Sequence, residues 1–166
     1  EAGIDSFKIE GRMKTALYAA TVVRTYRKAI DDYKKNPKLF EEHLEWYREE
    51  IGKCTYREYT TGFYFGKPNE EAQIYDNSTY IKSYTYLGTV EGTDHRGFSK
   101  IEQKNKFSVG EVIEVMKPDG RNLEVTVKGI YDEKGQLQDS APHPKQTLYV
   151  DFGVEAETFD LLRRRE

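Results

Sequence analysis

The sequence has 166 residues, of which 37% are hydrophobic, 13% aromatic and 33% charged, with a formal net charge of −3 and a mean hydropathy of −0.83. No apolar run approaches the ~18 residues of a membrane helix, residues 1–13 lack the apolar stretch of a secretory leader, and one cysteine, Cys54, excludes an internal disulfide framework and a multi-cysteine metal site. A calculated pI near 5.8 removes the bulk-basic argument for nucleic acid. A lone thiol fits a reducing compartment, so a cytoplasmic location without a membrane partner is expected.

The chain changes character near residue 76, which divides it into 1–75, helical, and 76–166, rich in β patterns. Charge does not mark the division: the first part is balanced and the second carries the net −3. Phe7-Lys8-Ile9-Glu10 reads as a very short strand. A helix follows, with Ala16, Ala19, Ala20, Val23, Tyr26, Ile30 and Tyr33 mostly at steps of three and four. Asn36-Pro37 stops it. Asn36 then caps a second helix with Pro37 at its first position. That helix carries Phe40, Leu44, Tyr47 and Ile51 on one face and ends at Gly52. The resulting αα-hairpin has more apolar face than it can hide by itself and is expected to pack on something else. Residues 53–78 read as a connector, in which Thr60-Thr61-Gly62-Phe63-Tyr64-Phe65-Gly66 is expected to be pinned by its aromatics.

In the second part, strands are expected over 80–90, 97–103, 111–117, 123–131, 137–138 and 146–152. Pro118-Asp119-Gly120-Arg121 is a hairpin turn, because Gly accepts positive φ at little steric cost. Leu123, Val125 and Val127 alternate with Glu124, Thr126 and Lys128, the pattern of a half-buried strand. Leu148, Val150 and Phe152 repeat the period. Strands this short and this many suggest a small closed antiparallel barrel or a sandwich, and closure would remove exposed strand edges. The fold class is therefore α+β: an N-terminal helical hairpin followed by a small antiparallel β-barrel.

Few residues present themselves for chemistry. Cys54 follows a helix C-terminus, whose negative dipole raises a thiol pKa, so it reads as inert. His43, His95 and His143 are scattered and form no ligand spacing. No Gly-x-Ser-x-Gly elbow, His-Glu-x-x-His pair or P-loop occurs. Glu10-Gly11-Arg12 lies where the short strand feeds the first helix. It reads first as a surface ion pair at a turn, and as a rim site if that strand closes an α/β barrel. Thr93-Asp94-His95-Arg96-Gly97 reads as a polar turn, with substrate contact through His95 and Arg96 as the functional alternative. Lys82, Lys100, Lys104 and Lys106 interleave with Tyr80, Tyr84, Tyr86, Phe98, Phe107, Tyr131, Tyr149 and Phe152. The pattern reads first as core aromatics with solvated lysines, since Glu91, Glu102, Glu111 and Glu114 dilute any basic face, with base stacking and phosphate contacts as the functional alternative. Arg163-Arg164-Arg165 reads as a frayed basic tail.

Several stretches together resemble the U32 (collagenase-like) peptidase family. They are Phe7-Lys8-Ile9-Glu10-Gly11-Arg12-Met13-Lys14, Ala20-Thr21-Val22-Val23-Arg24-Thr25-Tyr26-Arg27, Thr60-Thr61-Gly62-Phe63-Tyr64 and the run from Ile101 to Glu111 around Asn105 and Gly110. The resemblance runs in order through nearly the whole chain. It implies a C-terminal fragment in which residues 1–14 end an upstream α/β barrel, the helices pack on that barrel, and the rest forms a small β-barrel similar to those of translation factors.

The family's cysteine-rich motif is not in this sequence, so the resemblance places catalysis, and any metal or iron–sulfur centre, upstream. No cofactor is expected in the chain itself. Glu10 and Arg12 remain the candidate catalytic residues; His95, Arg96, Lys100, Lys104 and Lys106 are the candidate substrate-binding residues; no metal ligand is assigned. Members are described as peptidases or as tRNA uridine hydroxylation proteins. The first expectation is a non-catalytic accessory domain that recognises a protein or peptide substrate, or shapes access to the catalytic barrel. The alternative is a module that contacts tRNA. The expected partners are the upstream catalytic domain of the same polypeptide together with one of these substrates.

Overall fold

The computed structural model describes residues 3–56, 62–70 and 81–166. The expected strand start at Tyr80 and the pair Thr60-Thr61 lie outside the described residues. The architecture is α+β, with helices first and antiparallel strands after. Helix α1 (Ala16–Lys35) starts at Thr15, whose hydroxyl accepts the Tyr18 N–H at 3.3 Å. Asn36 ends it and caps α2 (Pro37–Glu42), accepting the Lys38 N–H at 3.1 Å.

The second helix of the hairpin is interrupted. Helix α3 (Leu44–Gly52) is separated from α2 at His43, whose backbone leaves the helical region at φ −96 and ψ 4. The His43 ring is drawn to α1, where Nδ1 lies 2.9 Å from Asp32 Oδ2. Periodicity alone carries no information about such a tether. The strand expected at residues 7–10 does not form either, because a strand needs a ladder partner and no described residue supplies one.

Asp32 ties the hairpin together. Its carboxylate accepts from Tyr47 Oη at 2.6 Å and from His43, and lies 3.1 Å from Lys28 Nζ. Burial pushes its pKa up, but the hydrogen bonds from Tyr47, His43 and Lys28 outweigh burial and hold it at about 2, against an ordinary 3.8. The folded pKa is depressed, so the stabilisation is full above the unfolded value and is lost as pH falls through about 2. It amounts to about 2 kcal/mol at neutral pH. Urea unfolding followed at pH 5 and pH 2 is expected to show that loss in the native chain. Asp32→Asn should show a flatter profile, and equal slopes for the two proteins would overturn this account.

The strands are β1 (Tyr84–Thr93), β2 (Ser99–Gln103), β3 (Phe107–Ser108), β4 (Val112–Met116), β5 (Asn122–Thr126), β6 (Gly129–Tyr131), β7 (Leu137–Gln138), β8 (Ser140–Ala141), β9 (Thr147–Asp151) and β10 (Leu161–Arg165). One sheet runs in the order β5-β4-β10-β1-β2-β9-β6-β7, and β3 pairs with β8 separately. The single strand expected over 123–131 changes partner midway: β5 lies along β4, and β6 lies along β9. Val127 N–H still bonds Glu111 O at 2.9 Å, and the next residue, Lys128, donates to Asp151 O at 2.8 Å. Through this segment the hydrogen-bonded circuit returns to where it began, which makes the sheet barrel-like. Gly88 sits at a bulge in β1, where a Cβ would come within 2.8 Å of Glu102 O.

The barrel has its own core of fifteen residues, including Leu87, Val90, Ile101, Phe107, Ile113, Ile130, Leu148 and Leu162, all at most 6% exposed. A second, smaller cluster of Leu17, Tyr86, Met116 and Leu161 lies between α1 and the barrel wall. Leu17 and Ala20 of α1 thus seat on the barrel of the same chain, while Val23 and Tyr26 of the expected apolar stripe stay 52% and 42% exposed. The frayed tail expected at residues 163–165 is corrected: β10 lies between β1 and β4, and Arg163 is fully buried. Three consecutive arginines carry no apolar period, so nothing in their pattern signals a strand.

The seat between hairpin and barrel is largely ionic. Arg24 of α1 donates to Lys117 O at 2.8 Å and to Asn122 Oδ1 at 2.9 Å, and pairs with Glu50 of α3. Glu50 also meets Arg163 Nη2 at 2.6 Å, Lys53 Nζ at 3.0 Å and Asn122 Nδ2 at 3.0 Å. Arg163 continues to Glu114 of β4. Burial pushes the Glu50 pKa up, but Arg163, Arg24 and Lys53 prevail and hold it below the usual carboxylate value. The turn at 118–121 docks here too, since a Cβ on Gly120 would strike Lys28 and approach Trp46.

Candidate functional site

The candidate residues fall in three separate places. Glu10 and Arg12 are exposed at the start of α1. The Glu10 carboxylate accepts the Arg12 backbone N–H at 2.9 Å, and Tyr18 Oη reaches Glu10 O at 3.4 Å. The carboxylate thus closes a turn.

His95 and Arg96 lie in the β1–β2 turn. Asp94 Oδ1 accepts the backbone N–H of Arg96 at 2.8 Å and of Phe98 at 3.0 Å, which builds the turn, and Gly97 takes φ +80. Asp94 Oδ2 accepts Arg96 Nε at 2.7 Å. Burial raises the Asp94 pKa, but these hydrogen bonds lower it overall. The Arg96 guanidinium lies 4.6 Å from the Phe98 ring centre and 5.0 Å from that of Tyr131, and those two rings stack 5.0 Å apart. These aromatic faces are therefore already occupied by an arginine of the same chain. Beside them a cavity of about 290 Å³ opens between the turn at 94–97 and the turn at 132–135. Its charged lining sets three carboxylates, Asp94, Asp132 and Glu133, against two cations, Arg96 and Lys134.

The three lysines do not form one basic face. Lys100 pairs with Glu91 at 2.9 Å and Lys104 with Glu102 at 2.6 Å. Each carboxylate lifts its lysine's pKa, chiefly through the side-chain hydrogen bond. Lys106 is exposed and joins no ion pair among the described residues. It lies beyond the far end of β2 from Arg96, beside Arg164, whose Nη1 reaches Lys106 O at 3.5 Å and Glu111 Oε2 at 2.6 Å. A strand advances ~3.3 Å per residue, so the Arg96 turn and the rim of Lys104, Lys106 and Arg164 stand at opposite ends of β2.

Burial pushes the Cys54 thiol up to about 11, which is unsuited to a nucleophile. Sequence reasoning missed Arg24, Glu50 and Arg163, the buried charges of the seat. Their spacing resembles an ordinary solvated helix face and tail, and only the pairing across elements distinguishes them. It also misjudged the connector. Tyr56 and Ile81 bond each other's backbones at 3.1 and 2.7 Å, tying its ends, but Phe63, Tyr64 and Phe65 are 77%, 86% and 82% exposed rather than pinned.

The family model described as Peptidase family U32 matches residues 1–74, and the one described as Peptidase family U32 C-terminal domain matches residues 82–163. The chain belongs to peptidase family U32. This U32 chain is similar to tRNA hydroxylation protein P1 of Bacillus subtilis, 40% identical over 99% of the chain and 39% of that protein. It is 32% identical to tRNA hydroxylation protein P of Escherichia coli, over 98% of the chain and 35% of that protein. A collagenase of Porphyromonas gingivalis is 28% identical over 71% of the chain and 33% of that protein. The chain thus spans well under half the length of these relatives. A crystal structure of the C-terminal domain of a U32 protein from Geobacillus thermoleovorans is 27% identical, covering 48% of this chain and 99% of that one, with a TM-score of 0.45. Among the described residues no helix is long and apolar enough to cross a membrane.

Proposed function

We propose that this chain is a non-catalytic accessory region of a U32 protein that acts on tRNA, with its barrel contributing contacts to the RNA backbone. The observation that carries the reading is the match, along 99% and 98% of the chain, to two proteins named for tRNA hydroxylation. The rim of Lys104, Lys106 and Arg164 supplies cations at one mouth of the barrel, with Lys106 uncompensated. In this reading catalysis, and any metal or iron–sulfur centre, belongs to the remainder of a longer polypeptide, and the family match over residues 1–74 supports that remainder as the first partner of this region.

Phosphate contacts release counterions, so binding should fall steeply with salt. Titrating the chain with tRNA at low and moderate salt is expected to give such a slope. Lys104→Ala together with Lys106→Ala should weaken binding at every salt and reduce the slope by roughly two. An unaltered slope would remove the rim from the interface, and no binding at low salt would remove the reading.

A second reading, recognition of a protein substrate, is favoured by the net-acidic cavity beside Arg96, which suits a cationic peptide side chain, and by the similarity to a collagenase. Lysine-rich and arginine-rich peptides added to the same titration distinguish the two.

A further inference from the structure

We propose that Phe98, Tyr131 and Tyr149 form a receptor for the guanidinium or ammonium group of a peptide side chain, and that Arg96 fills it in cis as a built-in competitor. This rests on the peptide reading above and is independent of the tRNA one. The rings share the outer face of the barrel wall. Tyr149 of β9 stands directly across from Tyr131 of β6, its neighbours Leu148 and Val150 belong to the core, and Phe98 immediately precedes β2, the strand on the other side of β9. The Arg96 guanidinium lies over all three, 4.6 Å from the centre of Phe98, 5.0 Å from that of Tyr131 and 6.0 Å from that of Tyr149. A positive charge set against several aromatic faces is the arrangement by which proteins recognise organic cations. The chain thus carries the fitting ligand chemistry already seated on the rings.

The Arg96 side chain is not what holds this region together. Asp94 builds its turn through backbone N–H groups, and the facing turn repeats the construction: Asp132 Oδ1 accepts the N–H of Lys134 at 2.9 Å and of Gln136 at 2.8 Å, with Gly135 at φ +77. Both walls of the cavity therefore stand without the arginine. Its side chain instead reaches across the opening, where Nη1 would lie 3.9 Å from a Cβ on Gly135. Among the described residues its one ion pair is with Asp94, two positions away, and a third of the side chain stays exposed. Contacts of this kind at a part-exposed site are individually weak, so they yield to an incoming cation. That cation meets the same rings and the carboxylates of Asp94, Asp132 and Glu133, opposed by Lys134 once Arg96 has swung out. A site filled by its own chain shows an affinity reduced in proportion to the fraction of time it stands open. The native chain should therefore bind weakly, and removal of the competitor should strengthen binding.

The test is calorimetric titration of the native chain and its variants with hexa-arginine, beside hexa-citrulline as the neutral isostere. Arg96→Ala should bind hexa-arginine at least about fivefold more tightly than the native chain, and the ring protons of Phe98 and Tyr131 should shift with the titration. Arg96→Lys, which keeps a cation in cis, should stay close to native. Adding Tyr131→Leu or Phe98→Leu to Arg96→Ala leaves the charge unchanged, removes one ring face and should cancel most of the gain. A gain kept in both double variants, ring protons that do not shift, or hexa-citrulline binding as tightly as hexa-arginine would overturn the receptor. Equal affinity of the native chain and Arg96→Ala for hexa-arginine would overturn the competitor while leaving the peptide reading intact. Failure of both proteins to bind hexa-arginine would overturn the two together.

Discussion

Glu50→Ala is expected to release the helical hairpin from the barrel at a cost of about 3–5 kcal/mol, the usual penalty for removing one member of a buried ion pair. Glu50 is 1% exposed and faces Arg24 and Arg163, which are 6% and 0% exposed. Without it, two guanidinium groups remain in the seat with Glu114 as the nearest carboxylate. Among the described residues Arg24 Nε and Arg163 Nη1 already find no acceptor, so the seat has little spare capacity to compensate. The apolar part of the seat is small: Leu17, Tyr86, Met116 and Leu161, with Ala20 beside them. The one large side chain that the hairpin itself contributes to this cluster is Leu17, worth ~1.5–3 kcal/mol when buried, which is less than the loss. The least costly relief is for the hairpin to lift off and let water reach both arginines.

Trp46 reports this event. It is the only tryptophan, lies 5.9 Å from both the Arg24 guanidinium and Lys28 Nζ, and approaches the turn at Gly120. In Glu50→Ala its emission should shift to the red, and its unfolding transition should move to much lower urea. The strand signal in circular dichroism should keep most of its native midpoint, since the barrel core contains no helix residue. Glu50→Gln, which keeps the shape and loses the charge, should fall between. A Trp46 transition within about 0.5 kcal/mol of native, the range of an ordinary surface substitution, would mean that the ionic seat does not hold the hairpin.

This hierarchy also explains what could be read from the residue order. The capping residues Thr15 and Asn36, the Pro at the start of α2 and the turn at 118–121 act locally, within a few residues, so their consequences are legible in the sequence. The alternation in residues 123–127 and 148–152 is likewise a local record of a wall with one wet face. Interactions that join distant segments leave no such record. The break at His43 depends on Asp32 eleven positions earlier, and the burial of Arg163 depends on Glu50 and Glu114. Among the candidate site residues, the polar turn around Asp94 was legible because Asp and Gly build it by themselves. The pairing of Lys100 with Glu91 was not, because those residues meet only once β1 and β2 are in register.

Phe107→Ala should produce the opposite pattern, moving both probes together. Phe107 is fully buried, and β3 to which it belongs is only two residues long, paired with Ala141 of β8. The backbone of so short a strand contributes little, so the side chain is what fixes this segment to the barrel core. Truncating a buried phenylalanine costs about 3–5 kcal/mol through lost burial and the cavity left behind, a large fraction of the ~5–15 kcal/mol of an ordinary domain. The hairpin has no comparable core of its own, and its buried charges find their partners on β4 and β10. When the barrel opens, those partners disperse and the hairpin loses its seat at the same moment. The strand signal and the Trp46 emission in Phe107→Ala should therefore lose cooperative structure at one shared midpoint, well below the native one. A Trp46 transition left at its native position would show that the hairpin stands without the barrel, and the dependence of one on the other would have to be abandoned.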